Sequence, residues 1–188
     1  MQITTLLGSA KKKGNTATVL GWVEDELRVM GHDVERIHLG NKTIGGCLGC
    51  AKCRQFPDEI ACVQKDDAIP IMQKMIASDA VLYASPIYFW GFSAQIKALI
   101  DRCYSLVTNY HLPGHTSLMQ GKRIALLSTG GSPYEQNAEG MFTAFDRIAE
   151  FLLAQKSGEL FIGGYAPHAG LNGDIQNKAV ELARSLVD

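Results

Sequence analysis

No apolar run in the 188 residues approaches the roughly 20 that a membrane-spanning helix requires, which excludes that class and leaves a soluble protein as the expectation. A surplus of charge is missing too. The 18 basic and 19 acidic residues give a formal net charge of -1, without the one-sided surface that nucleic-acid binding or acidic docking needs. Nucleic acid and membrane are therefore not expected as partners, and small molecules are. Two phosphate-loop signatures are also absent: neither G-x-x-x-x-G-K-[ST] nor G-x-G-x-x-G follows a strand, which counts against ATP and dinucleotides as resident ligands. No local Ser-His-Asp or Cys-His signature occurs either. His32, His38, His111, His115 and His168 are scattered, as structural histidines are, so no catalytic side chain is assigned. His111 and His115 share the loop NYHLPGHTS, placed to overhang a site or to meet a second subunit.

With 46% hydrophobic residues, the chain is long enough for one well-buried core and short for two, so a single domain over residues 1–188 is expected. It enters a strand within two residues, with no room for a signal peptide, and a cytoplasmic setting follows. Its cysteines are then thiols or ligands.

Residues 3–7 form a short apolar strand that breaks at Gly8-Ser9, and a helix begins at Asn15-Thr16 after a basic loop. Val19, Leu20, Val23, Leu27 and Met30 then share one helical stripe, ended by Gly31. DVERIHL, residues 33–39, reads as a second strand. Asp66-Asp67 caps a helix reaching about Ser78, and AVLYA, residues 80–84, reads as a strand buried on both faces. SPIYFWG, residues 85–91, reads as a loop and SAQIKALIDRCYSLV as a helix. KRIALLS, residues 122–128, is a fourth strand, followed by TGGSPYEQN and a helix over about 135–155. Leu160 to Gly163 is a fifth strand and Asp174 to Val187 a closing helix. This alternation defines an α/β fold, a doubly wound three-layer sandwich around a five-stranded parallel sheet.

Ligands of such sheets bind beyond the carboxyl ends of the strands, near the point where strand order reverses. The loops at 8–16, 85–91 and 129–134 all open on that edge. In the first, the start of a helix offers unpaired N–H groups and partial positive charge, Ser9, Asn15 and Thr16 add short donors, and Lys11, Lys12 and Lys13 add charge. The competing reading is an ordinary capped turn. The second loop carries Tyr88, Phe89 and Trp90 in a row, which a flat ring system or an oligomer contact explains better than a core does. The third, Thr129-Gly130-Gly131, brings backbone N–H groups without bulk. Phosphate at one end and a planar heterocycle at the other describe a mononucleotide such as FMN.

GSAKKKGNT, SPIYFWGFSAQIKALIDR and TGG resemble the flavodoxin-fold NAD(P)H-dependent FMN reductases, especially the branch related to the iron–sulfur flavoproteins. The resemblance covers nearly the whole chain. It implies the flavodoxin-like strand order 2-1-3-4-5, FMN as cofactor, and NAD(P)H as co-substrate, with electrons passing to a quinone, flavin, azo or nitro compound. By the same resemblance Ser9, Lys11, Asn15, Thr16 and Ala17 hold the FMN phosphate. Pro86, Ile87, Tyr88 and Phe89, with Thr129, Gly130 and Gly131, line the isoalloxazine ring. Lys11 stands where many relatives have Arg, which keeps the charge and gives up the two-pronged fork. A homodimer is expected, because three exposed aromatics exceed what one ring face can use.

Cys47, Cys50, Cys53 and Cys62 lie in an irregular, glycine-rich segment with spacings x2, x2 and x8. Free thiols are the favoured reading. A [4Fe–4S] cluster is the alternative, since C-x2-C-x2-C runs bind clusters, although the resemblance implies a shorter last gap. Structural zinc fits less well, because four-cysteine zinc sites usually come as two separated pairs. Cys103 sits on an apolar helix face and reads as core. Two other functions stay open: an iron–sulfur flavoprotein electron carrier, and a non-enzymatic flavodoxin-like FMN-binding module.

Overall fold

The computed structural model describes residues 1–56, 59–110, 112–164 and 170–188. Counting the long strands only, the chain runs β1 (Gln2–Leu7), α1 (Asn15–Val29), β2 (Asp33–His38), α2 (Ala68–Ala77), β3 (Ala80–Tyr88), α3 (Ala94–Arg102), β4 (Arg123–Thr129), α4 (Glu139–Phe151), β5 (Gln155–Ile162) and α5 (Gly173–Val187). The long strands are all parallel, in the order β2-β1-β3-β4-β5, as expected. Strand order reverses between β1 and β3, and the carboxyl ends of these two strands frame the crevice.

Side chains alternate across a strand, so each central strand supplies both cores. Val81 and Tyr83 of β3 pack with α2, α3 and α4, while Ala80, Leu82 and Ala84 pack with α1 and α5. One member of the buried face of α1 is charged. Glu24 is 2% exposed and accepts from Thr5 Oγ1 at 2.5 Å and from Arg36 Nε at 2.8 Å. Arg36 Nη2 reaches its other oxygen at 2.8 Å. A buried carboxylate is tolerable only when paired and hydrogen-bonded, and this pairing fixes α1 against β1 and β2.

Several element boundaries differ from the sequence reading. Residues 85–88 belong to β3 and are not a loop; the strand turns at Phe89-Trp90 and pairs back through Gly91 and Phe92. Pro86 is accommodated because the β1 ladder stops at Leu7↔Ala84, so beyond that rung β3 has only β4 as its long neighbour. The third helix ends at Arg102 and gives way to a tight turn over Cys103–Leu106. The fourth stops at Phe151, where Leu153 takes a left-handed φ of 51°, and the fifth strand begins at Gln155 instead of 160. As an edge strand, β5 buries only Ile162 fully, and QKSGELFI lacks the apolar run that marks an interior strand.

Candidate functional site

Three of the parallel strands deliver their loops to one place, and hydrogen bonds tie those loops together. Gly8 N–H donates to Ala84 O at 2.7 Å, and Ser93 Oγ, at the start of α3, donates to Gly8 O at 2.6 Å. The hydroxyls of Thr16 and Thr129 are hydrogen-bonded at 2.7 Å, which joins the first turn of α1 to the end of β4. Thr129 is also the register partner of Pro86, and Gly130 N–H bonds Ile162 O at 2.9 Å. Gly8 is required by this closeness, since a Cβ there would stand 2.8 Å from Ile96 Cβ.

The start of α1 is open electrostatically. Its N-cap is Gly14, which offers no side-chain cap, and no acidic residue lies in the first turn. The N–H groups of a helix start carry partial positive charge and need acceptors. Ser9, Thr16 and Ala17 are buried beside this start, whereas Lys11, Lys12 and Lys13 are exposed. On the facing side a Cβ at Gly131 would meet nothing within 4 Å. An uncapped helix start, three short hydroxyls and an open glycine edge fit a phosphate with a flat group beyond it, so the residues present suit FMN.

The aromatic stretch is held in a way the sequence reading missed. Phe89 and Trp90 occupy the two central positions of the turn between Tyr88 and Gly91, with φ of 48° and 61°. Two-residue hairpins with both centres left-handed normally take Asn-Gly, and a side chain there costs about 1–2 kcal/mol per residue. Even so, Phe89 is 94% exposed and Trp90 63%. Replacing Phe89-Trp90 by Asn-Gly is therefore expected to raise the thermal midpoint of the flavin-free protein by several degrees. An unchanged or lower midpoint would show that the turn holds no strain.

The cysteine segment forms a second region. Cys47, Cys50, Cys53 and Cys62 border one cavity of about 460 Å³, together with Arg54 and Arg102. Arg102, last residue of α3 and 1% exposed, donates to Cys62 Sγ at 3.2 Å, to Gly45 O at 3.0 Å and to both oxygens of Asp66 at 2.7 and 3.1 Å. Burial, the largest single effect, pushes the Asp66 carboxyl up, but the Arg102 bond, the N–H bonds from Gly45 and Ala68 and the guanidinium charge together outweigh it and hold it below the ordinary range. Burial pushes the Cys53 thiol up, and the other three thiols add to that shift. Arg54 lies over Tyr104 and Tyr110, 5.5 and 5.3 Å from their ring centres, which pins the segment from its other side. Among the described residues no three His, Cys, Asp or Glu side chains are grouped to hold a metal ion.

Of the nominated flavin residues, Ser9 and Lys11 lie in the loop after β1, and Asn15, Thr16 and Ala17 in the first turn of α1. Pro86, Ile87, Tyr88 and Thr129 lie at the ends of β3 and β4, and Phe89, Gly130 and Gly131 in the turns that follow those strands. His115 lies away from it, donating through Nε2 to Phe151 O at 3.1 Å. His111 and His168 fall outside the described residues. Two residues that no local pattern singles out matter here. Arg102 reads as one more charge after an apolar stripe, and His38, which reaches Ser9, lies 29 positions from it.

Comparison with known proteins bears on the family and the fold. An iron–sulfur flavoprotein of Archaeoglobus fulgidus is 35% identical over 139 residues, 72% of this chain, and the chain spans only 58% of that relative's length. A candidate NAD(P)H-dependent FMN-containing oxidoreductase of Bacillus subtilis, YwqN, is 25% identical over 189 aligned positions, covering 100% of this chain and 97% of the relative. The crystal structure of an azoreductase from Bacillus anthracis shares the fold with a TM-score of 0.74 over 98% of this chain and 97% of its own, at 13% identity. The model of the NADPH-dependent FMN reductase family matches residues 1–155, and the chain belongs to that family.

Proposed function

We propose that this protein is an FMN-dependent NAD(P)H oxidoreductase that passes electrons from a nicotinamide through bound FMN to a small acceptor such as a quinone, flavin, azo or nitro compound. The observation that carries this reading is the uncapped start of α1 tied through Thr16 to Thr129 at the strand edge. Bound there, FMN supplies a ring that accepts hydride and passes electrons on, which asks the protein for binding and orientation more than for acid–base groups. Ser9, Asn15 and Thr16, with the first-turn N–H groups and Lys11, bind the phosphate. Pro86 to Phe89 and Thr129 to Gly131 set the ring against the ends of β3 and β4 and keep water from it. The absence of a nominated acid–base pair is consistent with such chemistry.

Exposed Tyr88, Phe89 and Trp90 favour a homodimer in which a second subunit covers the flavin edge. One domain over residues 1–188 and a cytoplasmic setting go with the same reading. The relatives named iron–sulfur flavoproteins raise the electron-carrier alternative, in which Cys47, Cys50, Cys53 and Cys62 would hold a cluster.

The test is made on protein purified without air. FMN, not FAD, should be released on denaturation, and oxidation of NADH or NADPH should depend on it. Retained FMN with no oxidation of either nicotinamide, offered acceptors of all four classes, would point to a binding module or carrier instead. Iron and sulfide analysis of the same sample separates those two.

A further inference from the structure

The parallel register sets Leu7 opposite His38, so the histidine stands at the last rung of the β1–β2 ladder, beside the first residues of the anion loop. Its Nε2 is 2.7 Å from the Ser9 carbonyl oxygen. A carbonyl only accepts, so Nε2 carries the proton and donates. Nδ1 of the same ring is buried and has no partner among the described residues. Leucine or phenylalanine would fill this space without stranding a nitrogen, so filling space does not account for the imidazole. Gly40 keeps the arrangement possible: a Cβ there would lie 2.8 Å from His38 Nε2 and 3.3 Å from Ala10 Cα.

We infer that His38 is a positioning residue for the anion loop, holding the Ser9 carbonyl so that the next N–H group is aimed for phosphate. The peptide between Ser9 and Ala10 is planar, and fixing its carbonyl oxygen fixes the opposite direction of the Ala10 N–H. Ser9 Oγ meanwhile accepts from Lys11 N–H at 3.1 Å, which leaves its hydroxyl hydrogen to donate to an anion. His38 thereby acts through Ser9 and Ala10 and needs no contact with the ligand. The inference rests on the proposed reading that this loop holds the FMN phosphate.

Its test compares FMN with riboflavin, which shares the ring system and lacks the phosphate, so that the ratio of their affinities reports on the loop alone. Binding to the flavin-free protein is followed by quenching of flavin fluorescence. His38→Leu and Gly40→Ala, which displace the donor by different routes, should each lower FMN affinity on the order of tenfold and leave riboflavin affinity unchanged. His38→Gln, whose amide nitrogen can take the place of Nε2, should keep most of the ratio. Riboflavin binding certifies that each variant is folded, and Gly40→Ala carries the test if His38→Leu does not fold. An unchanged ratio in the folded variants, or equal loss of both flavins, would overturn the inference while leaving the phosphate reading intact. Wild-type protein that binds FMN no tighter than riboflavin would remove the phosphate reading and this inference with it.

Discussion

Replacing Asn15 and Thr16 together by alanine should weaken FMN binding by a factor of about a hundred or more, measured by fluorescence titration of the flavin-free protein. Hydrogen bonds to a charged group contribute about 1.5–3 kcal/mol each, and two losses add if the sites act independently. The Thr16 hydroxyl has a second task, since its bond to Thr129 at 2.7 Å joins the first turn of α1, the proposed phosphate end, to the end of β4, the proposed ring end. Thr16→Ser, which keeps a hydroxyl there, should lose far less than Thr16→Ala. Thr16 is 3% exposed, but alanine removes little volume and leaves Thr129 free to rotate, so folding should survive. Unchanged FMN affinity in the double variant would mean that the phosphate sits elsewhere.

The second large effect is on stability. Arg102→Met should destabilise the protein by about 3–5 kcal/mol in urea unfolding, the range for removing one partner of a buried ion pair. The guanidinium serves Asp66, Cys62 and Gly45 at once, so its loss strands a carboxylate whose side chain is only 13% exposed. The pH dependence has a definite sign. The Asp66 carboxyl is held below its ordinary range, so its contribution is present above the unfolded-state value and lost as pH falls through the folded-state one. Wild-type stability should therefore fall on acidification below the usual carboxylate range, and Arg102→Met should show a flatter acid limb. Since Arg102 closes α3 and Ser93 opens it, the variant should loosen the cysteine segment first and the flavin edge less. Equal stability of variant and wild type would show that the Arg102–Asp66 pair contributes nothing net.

Most of the fold could be read from periodicity. The apolar stripe of α1, the two-faced burial of β3 and β4 and the amphipathic α5 each impose a local pattern, and strand–helix alternation then leaves few arrangements. Polar β5 has only β4 beside it and so carries no such pattern. The Phe89-Trp90 turn was hidden for a different reason, because its residues contradict the turn chemistry they adopt. At the site, the helix start without a side-chain cap and the open glycine edge could be read because helix starts and close backbone approach have local signatures. Glu24, His38 and Arg102 could not. Their roles depend on partners 12, 29 and 36 positions away, brought near only by the packed sheet.

Anaerobic titration of FMN-loaded protein with NADPH, and separately with NADH, tests the proposed chemistry most directly. One equivalent of at least one nicotinamide should bleach the flavin's visible absorbance fully, and an added quinone should restore it. Flavin that stays oxidised in the presence of excess of both nicotinamides would contradict the oxidoreductase reading.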